Sequence, residues 1–390
     1  MQIADRMKNL GTETAFEVLA KAKALEAQGK SIVHLEIGEP DFDTPMNIKE
    51  AGISAIRKNF THYGPSAGLM DARKAVADYS GKIRGMQFSP EEVVIVPGGK
   101  PIMFFAIMAI TNPGDEIIYP NPGFPIYESM INFMGGKAVP VPIREEREFS
   151  LDVKELESLI TPRTKMIIIN SPANPTGGIL ERKDLEGIAK LAKEHDLWVL
   201  SDEIYQQILY DKEHFSIASL PEMKERTIIL DGFSKAYAMT GWRLGYGIMN
   251  KNLAPHITRL MTNSNSCTAS FTQVAGIEGL NGPQDSVKAM VSEFRARRDL
   301  IVEGLNKIPG FSCRKPHGAF YVFPNIRKTG ITSQQMSDYL LNDAGVACLP
   351  GTSFGKFGEG YLRFSYANSQ ENIKEALKRI DAAVRKMVAK

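Results

Sequence analysis

The stretch Asp231-Gly-Phe-Ser-Lys-Ala-Tyr-Ala-Met-Thr-Gly-Trp-Arg-Leu-Gly245 decides how this 390-residue chain is read. It follows Arg226-Thr-Ile-Ile-Leu230, an apolar, β-branched run that reads as a buried strand. Past that strand a single lysine, Lys235, stands among the small and hydroxyl residues Gly232, Ser234, Thr240 and Gly241, and Arg243 closes the segment. A lysine held against a buried sheet loses hydration of its charged form. Its pKa falls, and its amine becomes reactive toward carbonyls. The hydroxyls and the arginine suit a phosphate.

A second stretch points the same way. Glu92-Val-Val-Ile-Val96 reads as a strand, Pro97-Gly-Gly-Lys-Pro101 as a turn, and Ile102 to Ile110 as an apolar helix. Backbone N–H groups at a helix start bind phosphate, and glycines let it come close. Pro101 suits the first helical position, where no N–H is needed. An amine beside a phosphate cup is what pyridoxal phosphate requires. Its aldehyde condenses with lysine, and its phosphate needs an anchor.

Ser234-Lys-Ala-Tyr-Ala-Met-Thr-Gly-Trp-Arg243 closely resembles the Schiff-base lysine signature of the class I/II aminotransferases, the aspartate aminotransferase family of fold type I pyridoxal-phosphate enzymes. Further resemblances run from Gly38 to Arg363. The resemblance implies that Lys235 anchors the cofactor and serves as general acid and base. Gly98, Gly99 and Lys100 match the family's phosphate turn, with Ser234 and Arg243 completing the cup. Phe124, in Pro120-Asn-Pro-Gly-Phe-Pro-Ile-Tyr127, takes the place of the aromatic that stacks on the ring; many relatives carry Trp or Tyr there. Asn174, in Ser171-Pro-Ala-Asn-Pro-Thr-Gly177, takes the role of hydrogen bonding to the ring's phenolic oxygen. The resemblance also implies cis bonds at Asn121–Pro122 and Asn174–Pro175.

Leu197-Trp-Val-Leu-Ser-Asp-Glu-Ile-Tyr205 reads as a strand running out into Asp202 and Tyr205. An acid at the C-terminal end of a buried strand is in the ligand position of an open α/β sheet. A carboxylate there keeps a pyridine nitrogen protonated. Tyr205, three residues on, is placed to contact the phenolic oxygen. In the family the loop Gly38-Glu-Pro-Asp-Phe-Asp-Thr-Pro45 lines the substrate entrance, which makes Ile37 and Gly38 substrate contacts. Arg363, in Tyr361-Leu-Arg-Phe-Ser365, matches the arginine that clamps the substrate α-carboxylate, a task suited to a planar fork. Tyr63 matches a tyrosine that reaches the partner subunit's cofactor phosphate, so a homodimer is implied.

Length and composition are consistent with this. A chain this long favours two domains. Alternating strands and helices give an α/β protein. The resemblance refines this to a large domain, 46–285, around a mostly parallel sheet, and a smaller α/β domain from 1–45 and 286–390. Short strands are expected at 32–37, 319–323, 346–349 and 361–365, and helices at 14–28, 47–60, 70–83, 181–195, 286–308 and 333–343. A net charge of +2 argues against nucleic-acid or membrane electrostatics. Met1 to Arg6 shows no apolar leader core, and Cys267, Cys313 and Cys348 are too widely spaced for a disulfide framework or zinc site. A cytoplasmic protein without a resident metal is the expectation.

The implied reaction is a ping-pong transfer of an amino group between an L-amino acid and a 2-oxo acid such as 2-oxoglutarate. Aspartate is favoured narrowly as donor, with alanine, aromatic and other neutral amino acids as the alternative. No cation is singled out for a side-chain carboxylate; Arg259, Arg147 and Lys137 are unplaced. A pyridoxal-phosphate lyase or synthase on the same fold would share Lys235, Asp202 and Arg363. A regulatory protein retaining the fold would need a spare basic segment, which the chain lacks.

Overall fold

A computed structural model describes residues 1–388. Helix α1 (Thr14–Ala27) and strand β1 (Val33–His34) open the chain, followed by α2 (Met46–Arg57) and α3 (Met70–Arg84). Strands and helices then alternate: β2 (Val93–Val96), α4 (Lys100–Ile110), β3 (Glu116–Asn121), α5 (Ile126–Phe133), β4 (Lys137–Pro142), α6 (Val153–Leu159), β5 (Thr164–Asn170), α7 (Arg182–Glu194) and β6 (Trp198–Asp202). Strands β7 (Thr227–Gly232) and β8 (Gly245–Ile248) complete a seven-stranded sheet in the order β2-β8-β7-β6-β5-β3-β4. Strand β8 is antiparallel to both neighbours, and the remaining pairings are parallel. The runs Val93–Val96 and Met166–Ile169 are buried throughout, as a sheet covered by helices on both faces demands.

Helices α8 (Ala254–Asn265), α9 (Ser270–Asn281) and α10 (Asp285–Leu305) follow. The chain ends with β9 (Tyr321–Val322), α11 (Ser333–Tyr339), β10 (Val346–Ala347), β11 (Leu349–Pro350), β12 (Leu362–Ser365) and α12 (Gln370–Val388). The two chain ends meet here. Strand β1 pairs parallel with β10, and β11, β12 and β9 form a small antiparallel sheet. One apolar cluster joins Val33 and Leu35 to Phe294, Phe320, Phe364 and Val384.

Several expected boundaries move. The 32–37 strand contracts to Val33–His34, and the 319–323 strand to Tyr321–Val322, with Ala319 at φ 58 where an extended strand cannot continue. The 346–349 strand divides at Cys348 into β10 and β11, each pairing with a different partner. Strand β6 stops at Asp202, so Tyr205 stands in the turn beyond it. Helix α4 begins at Lys100, which makes Pro101 its second residue; the missing N–H still falls among the four that no helix pairs internally. The 333–343 helix changes to a π turn over Leu340–Ala344. The bonds Asn121–Pro122 and Asn174–Pro175 are cis as expected, and so is Ser171–Pro172.

A buried ion network ties strand ends together. Arg84 Nη2 lies 2.8 Å from Glu203 Oε2 and 3.2 Å from Asp231 Oδ2. His214 Nε2 and the Ser201 and Ser216 hydroxyls also reach Glu203. Burial works against the Glu203 anion, but the charge of Arg84 and the contact with His214 outweigh it and hold the carboxyl well below its ordinary range. Glu203 follows β6 and Asp231 lies in β7, so the network fixes the edge from which Asp202 and the Lys235 loop project.

Candidate active site

The parallel strands β5, β6 and β7 end along one edge, and a cavity of about 460 Å³ opens there. Lys235 enters it from the loop after β7. The residue is half-buried, and Nζ donates to the Gly38 carbonyl at 2.5 Å. Desolvation pushes the amine down to about 8; Arg363 and Lys100 push the same way, while Glu39 and Glu13 oppose. Near neutral pH a useful fraction of Lys235 is therefore the free-base nucleophile. Gly38 must lack a side chain, because a Cβ there would sit 2.2 Å from the Tyr321 hydroxyl.

Asp202 is buried at the end of β6. Its Oδ2 accepts from the Tyr127 hydroxyl at 2.6 Å and its Oδ1 from the Ile204 N–H at 3.3 Å. Burial raises its carboxyl to about 6; the Tyr127 and Ile204 hydrogen bonds lower it, and the Asp231 and Glu203 charges raise it. No cation pairs with it among the described residues. A buried anion of this kind is completed by a cationic donor, and a protonated pyridine nitrogen is one.

The two segments expected to make a phosphate cup meet at this cavity. Gly99 caps α4 with no side chain over the first N–H groups. Gly98 takes φ 84, and a Cβ on it would lie 2.2 Å from Arg243 Nη2, so only glycine lets the guanidinium lie against this turn. Arg243 is held in place by a bond from Nη1 to the Thr240 carbonyl at 2.8 Å. Buried Ser234 lines the same space. Phe124 supplies an aromatic wall, braced edge-on by Tyr127 with ring centroids 5.6 Å apart.

Arg363 is buried between the Tyr321 and Phe354 rings, at 4.5 and 4.9 Å from their centroids. Its Nη2 donates to the Glu36 carbonyl and its Nη1 to Asn174 Oδ1 at 3.2 Å. Its Nε is buried without a partner, an orphaned donor beside the cavity that an anionic ligand would satisfy. Because Asn174 Oδ1 accepts from Arg363, its amide nitrogen is left to donate. The Tyr205 and Tyr321 hydroxyls are 2.8 Å apart. Lysine, buried carboxylate, anion cup, aromatic wall and free amide donor together fit pyridoxal phosphate.

Of the residues expected from the sequence, Ile37, Gly38, Gly99, Lys100, Phe124, Asn174, Asp202, Tyr205, Ser234, Lys235, Arg243 and Arg363 line this one cavity, and Gly98 adjoins it. Tyr63 does not; its side chain stands exposed at 90%. The unplaced cations lie elsewhere: Lys137 pairs with Glu116 at 3.0 Å, Arg147 with Asp152 at 3.2 Å, and Arg259 lies on α8. The sequence reading missed Tyr127, Tyr321, Glu13 and Glu39. Tyr127 could have been found, since it lies one helical turn from Phe124, inside the same quoted segment. Glu13 carries no sequence signal, because only the tertiary fold brings it to Lys100.

Comparison with known proteins agrees with this geometry. The aspartate aminotransferase of Pyrococcus abyssi is 43% identical over 91% of this chain and 92% of its own length. Aromatic-amino-acid aminotransferase 2 of Thermococcus litoralis is 39% identical over 99% of both. The solved structure of Thermus thermophilus aspartate aminotransferase with maleate superposes with a TM-score of 0.94 at 38% identity, over 98% of this chain and 100% of that one. The family model for aminotransferase class I and II matches residues 30–380. With that match over nearly its whole length, the chain belongs to the class I and II aminotransferase family and is a transaminase.

Proposed function

We propose that this transaminase binds pyridoxal phosphate on Lys235 and moves the amino group of an L-amino acid, aspartate foremost, to a 2-oxo acid. The observation that carries the reading is a single cavity holding a lysine with a lowered pKa, a buried unpaired carboxylate and an orphaned arginine donor. When bound, pyridoxal phosphate supplies an aldehyde for amine exchange and a ring that accepts the electron pair left at the substrate α-carbon. Gly98, Gly99, Ser234 and Arg243 would hold its phosphate. Asp202 would keep its ring nitrogen protonated, Asn174 and Tyr205 would serve its phenolic oxygen, and Phe124 would supply the aromatic wall for the ring. Arg363 clamps the substrate α-carboxylate beside Ile37 and Gly38. The Lys235 amine removes the α-proton and redelivers it later in the cycle.

Aspartate is favoured because Lys100, expected in the phosphate turn, holds its amine against the Phe124 ring and Glu13 instead, which leaves it as the cavity cation for a donor's side-chain carboxylate. Relatives named for aspartate support the same choice. A second reading, toward neutral and aromatic donors, draws support from Glu13, which already neutralises Lys100. We place the domain division at 46–285 against 1–45 with 286–390. We take the enzyme to be a cytoplasmic homodimer in which Tyr63 contacts the partner's cofactor phosphate. Tyr63 and the nearby Phe60, Met46, Ile53 and Ile56 are exposed apolar side chains within residues 46–63, which supports this reading. The test is borohydride reduction of purified holoenzyme, followed by peptide mapping and a donor panel. The cofactor should be fixed to the peptide containing Lys235, and amino transfer should require a 2-oxo acid. Fixation at another lysine overturns the assignment of the anchor. Release of pyruvate or ammonia without an acceptor would instead indicate a lyase.

A further inference from the structure

Lys100 is the first residue of α4 and lies at the cavity beside Phe124, with Nζ 5.4 Å from the ring centroid. The carboxylate it contacts comes from far away in the chain. Glu13, the residue before α1, forms a close ion pair with Lys100 Nζ and lines the same cavity. Glu13 occupies the cap position of α1, yet its side chain makes no capping bond. Its direction is therefore not set by a need of its own helix. The neighbouring backbone is held in place: the Gly11 N–H donates to Ser129 Oγ at 2.8 Å, and that hydroxyl donates back to the Gly11 carbonyl at 3.3 Å. Glu13 is thus held against Lys100 on the wall of the cavity that Arg363 also lines.

We propose that Glu13 is a specificity-determining residue, an internal carboxylate that stays on Lys100 when the donor's side chain is neutral and gives way when it is acidic. The inference rests on the reading of Lys100 as the side-chain cation. Lys100 is 46% exposed and Glu13 20%, so their pair is weak enough for a substrate carboxylate to displace. Displacement costs the acidic donor a modest factor. A neutral or aromatic donor that covers the pocket would leave Lys100 without a counter-charge if Glu13 were absent, and a desolvated unpaired charge is costly. Glu13 removes that penalty, so one pocket accepts both donor classes. Selectivity is the difference between the two affinities, and Glu13 narrows it.

The experiment uses holoenzyme of wild type, Glu13→Gln, Lys100→Gln and the double variant. The donor half-reaction with aspartate and with phenylalanine gives a ratio of kcat/KM values. Calorimetry gives the affinities of succinate and of 3-phenylpropionate, which carry no amine to transfer. Glu13→Gln should raise the aspartate-to-phenylalanine ratio by about two- to fivefold and favour succinate over 3-phenylpropionate to a similar degree. Lys100→Gln should lower both ratios, and on that background Glu13→Gln should have no further effect. If Lys100→Gln lowers the ratios but Glu13→Gln leaves them unchanged, the inference about Glu13 fails while the reading of Lys100 stands. If Lys100→Gln changes neither ratio, both fail. A lower melting temperature for Glu13→Gln with unchanged ratios would make Glu13 merely structural and overturn the proposal.

Discussion

The Tyr127 hydroxyl donates to Asp202 Oδ2 at 2.6 Å, joining the first turn of α5 to the end of β6 inside the core. Phe124, three residues earlier, stands edge-on against the Tyr127 ring. One short segment thus builds the aromatic wall and holds the carboxylate. Tyr127→Phe removes only the hydroxyl from a fully buried ring. The Asp202 anion then loses a hydrogen bond worth about 1.5–3 kcal/mol, and its pKa climbs further from the ordinary range. Cofactor affinity should fall by about tenfold or more, with a changed pH dependence of the holoenzyme absorption. Equilibrium dialysis and a spectral titration read both. An unchanged spectrum and affinity would mean that Tyr127 is packing alone.

Gly98→Ala tests the cup. The substitution puts a methyl against the Arg243 guanidinium in a backbone conformation of φ 84. Stability should drop by about 1–2 kcal/mol, and cofactor affinity by on the order of tenfold, because Arg243 must move off the turn. Gly114→Ala is the control. Gly114 has φ 88 but nothing within 4 Å of a Cβ, so it should show the backbone cost without the loss of affinity.

The Lys235 amine titrates at about 8 rather than at the ordinary 10.5, so its nucleophilic form dominates above about pH 8. Uptake of pyridoxal phosphate by apo-protein should accelerate as pH rises from 6 to 9 and level off beyond. For stability the sign follows from a lowered folded-state pKa. The unfolded chain holds this proton up to pH 10.5 and the folded chain releases it near 8. The contribution is therefore fully present above 10.5 and is lost as pH falls through 8. Stopped-flow absorbance across pH measures the uptake. A midpoint near 10 would show that burial does not depress the amine.

Arg84→Met probes the network behind the site. Arg84 is buried with Glu203 and Asp231, so removing its charge strands two carboxylates in the core. A loss of about 3–5 kcal/mol is expected. Chemical denaturation reads it, and a shift below 1 kcal/mol would mean that the carboxylates take up protons without strain.

Most residues that meet at the cavity were legible because the motifs carrying the family resemblance sit at strand ends. Ser234 to Arg243, Gly98 to Lys100 and Asn174 each lie within a few residues of a strand or helix terminus; apolar periodicity and turn chemistry located those termini, and the resemblance supplied the residues' roles. The central strands were found for the same reason. What escaped depends on contacts between distant parts of the chain. Tyr321 is placed by the pairing of β9 with β12, and Glu13 by contacts of the segment before α1 with Lys100 of α4 and with Ser129 of α5. The short strands near the chain ends were overextended, because an apolar run such as Ala319–Phe323 stays buried whether or not it pairs as a strand.

Arg363 is the strongest test of how substrate lies in the cavity. Its guanidinium is fixed by Asn174, by the Glu36 carbonyl and by two flanking rings, and its Nε has no partner. A rigid, desolvated fork of this kind suits a group that every amino-acid substrate shares, the α-carboxylate. Arg363→Ala should therefore weaken aspartate, alanine and phenylalanine by a similar factor. A lost charge-assisted bond of about 1.5–3 kcal/mol corresponds to about one to two decades. Lys100→Gln should by contrast weaken aspartate and glutamate and spare alanine. The donor panel, run with 2-oxoglutarate and with pyruvate as acceptors on both variants, separates the two contributions. If Arg363→Ala impaired only the dicarboxylic donors while Lys100→Gln impaired all of them, the substrate would lie in the opposite orientation, with its side chain on Arg363. A large wild-type preference for neutral donors would remove the aspartate assignment and leave Arg363 as the carboxylate clamp of a neutral-amino-acid transaminase.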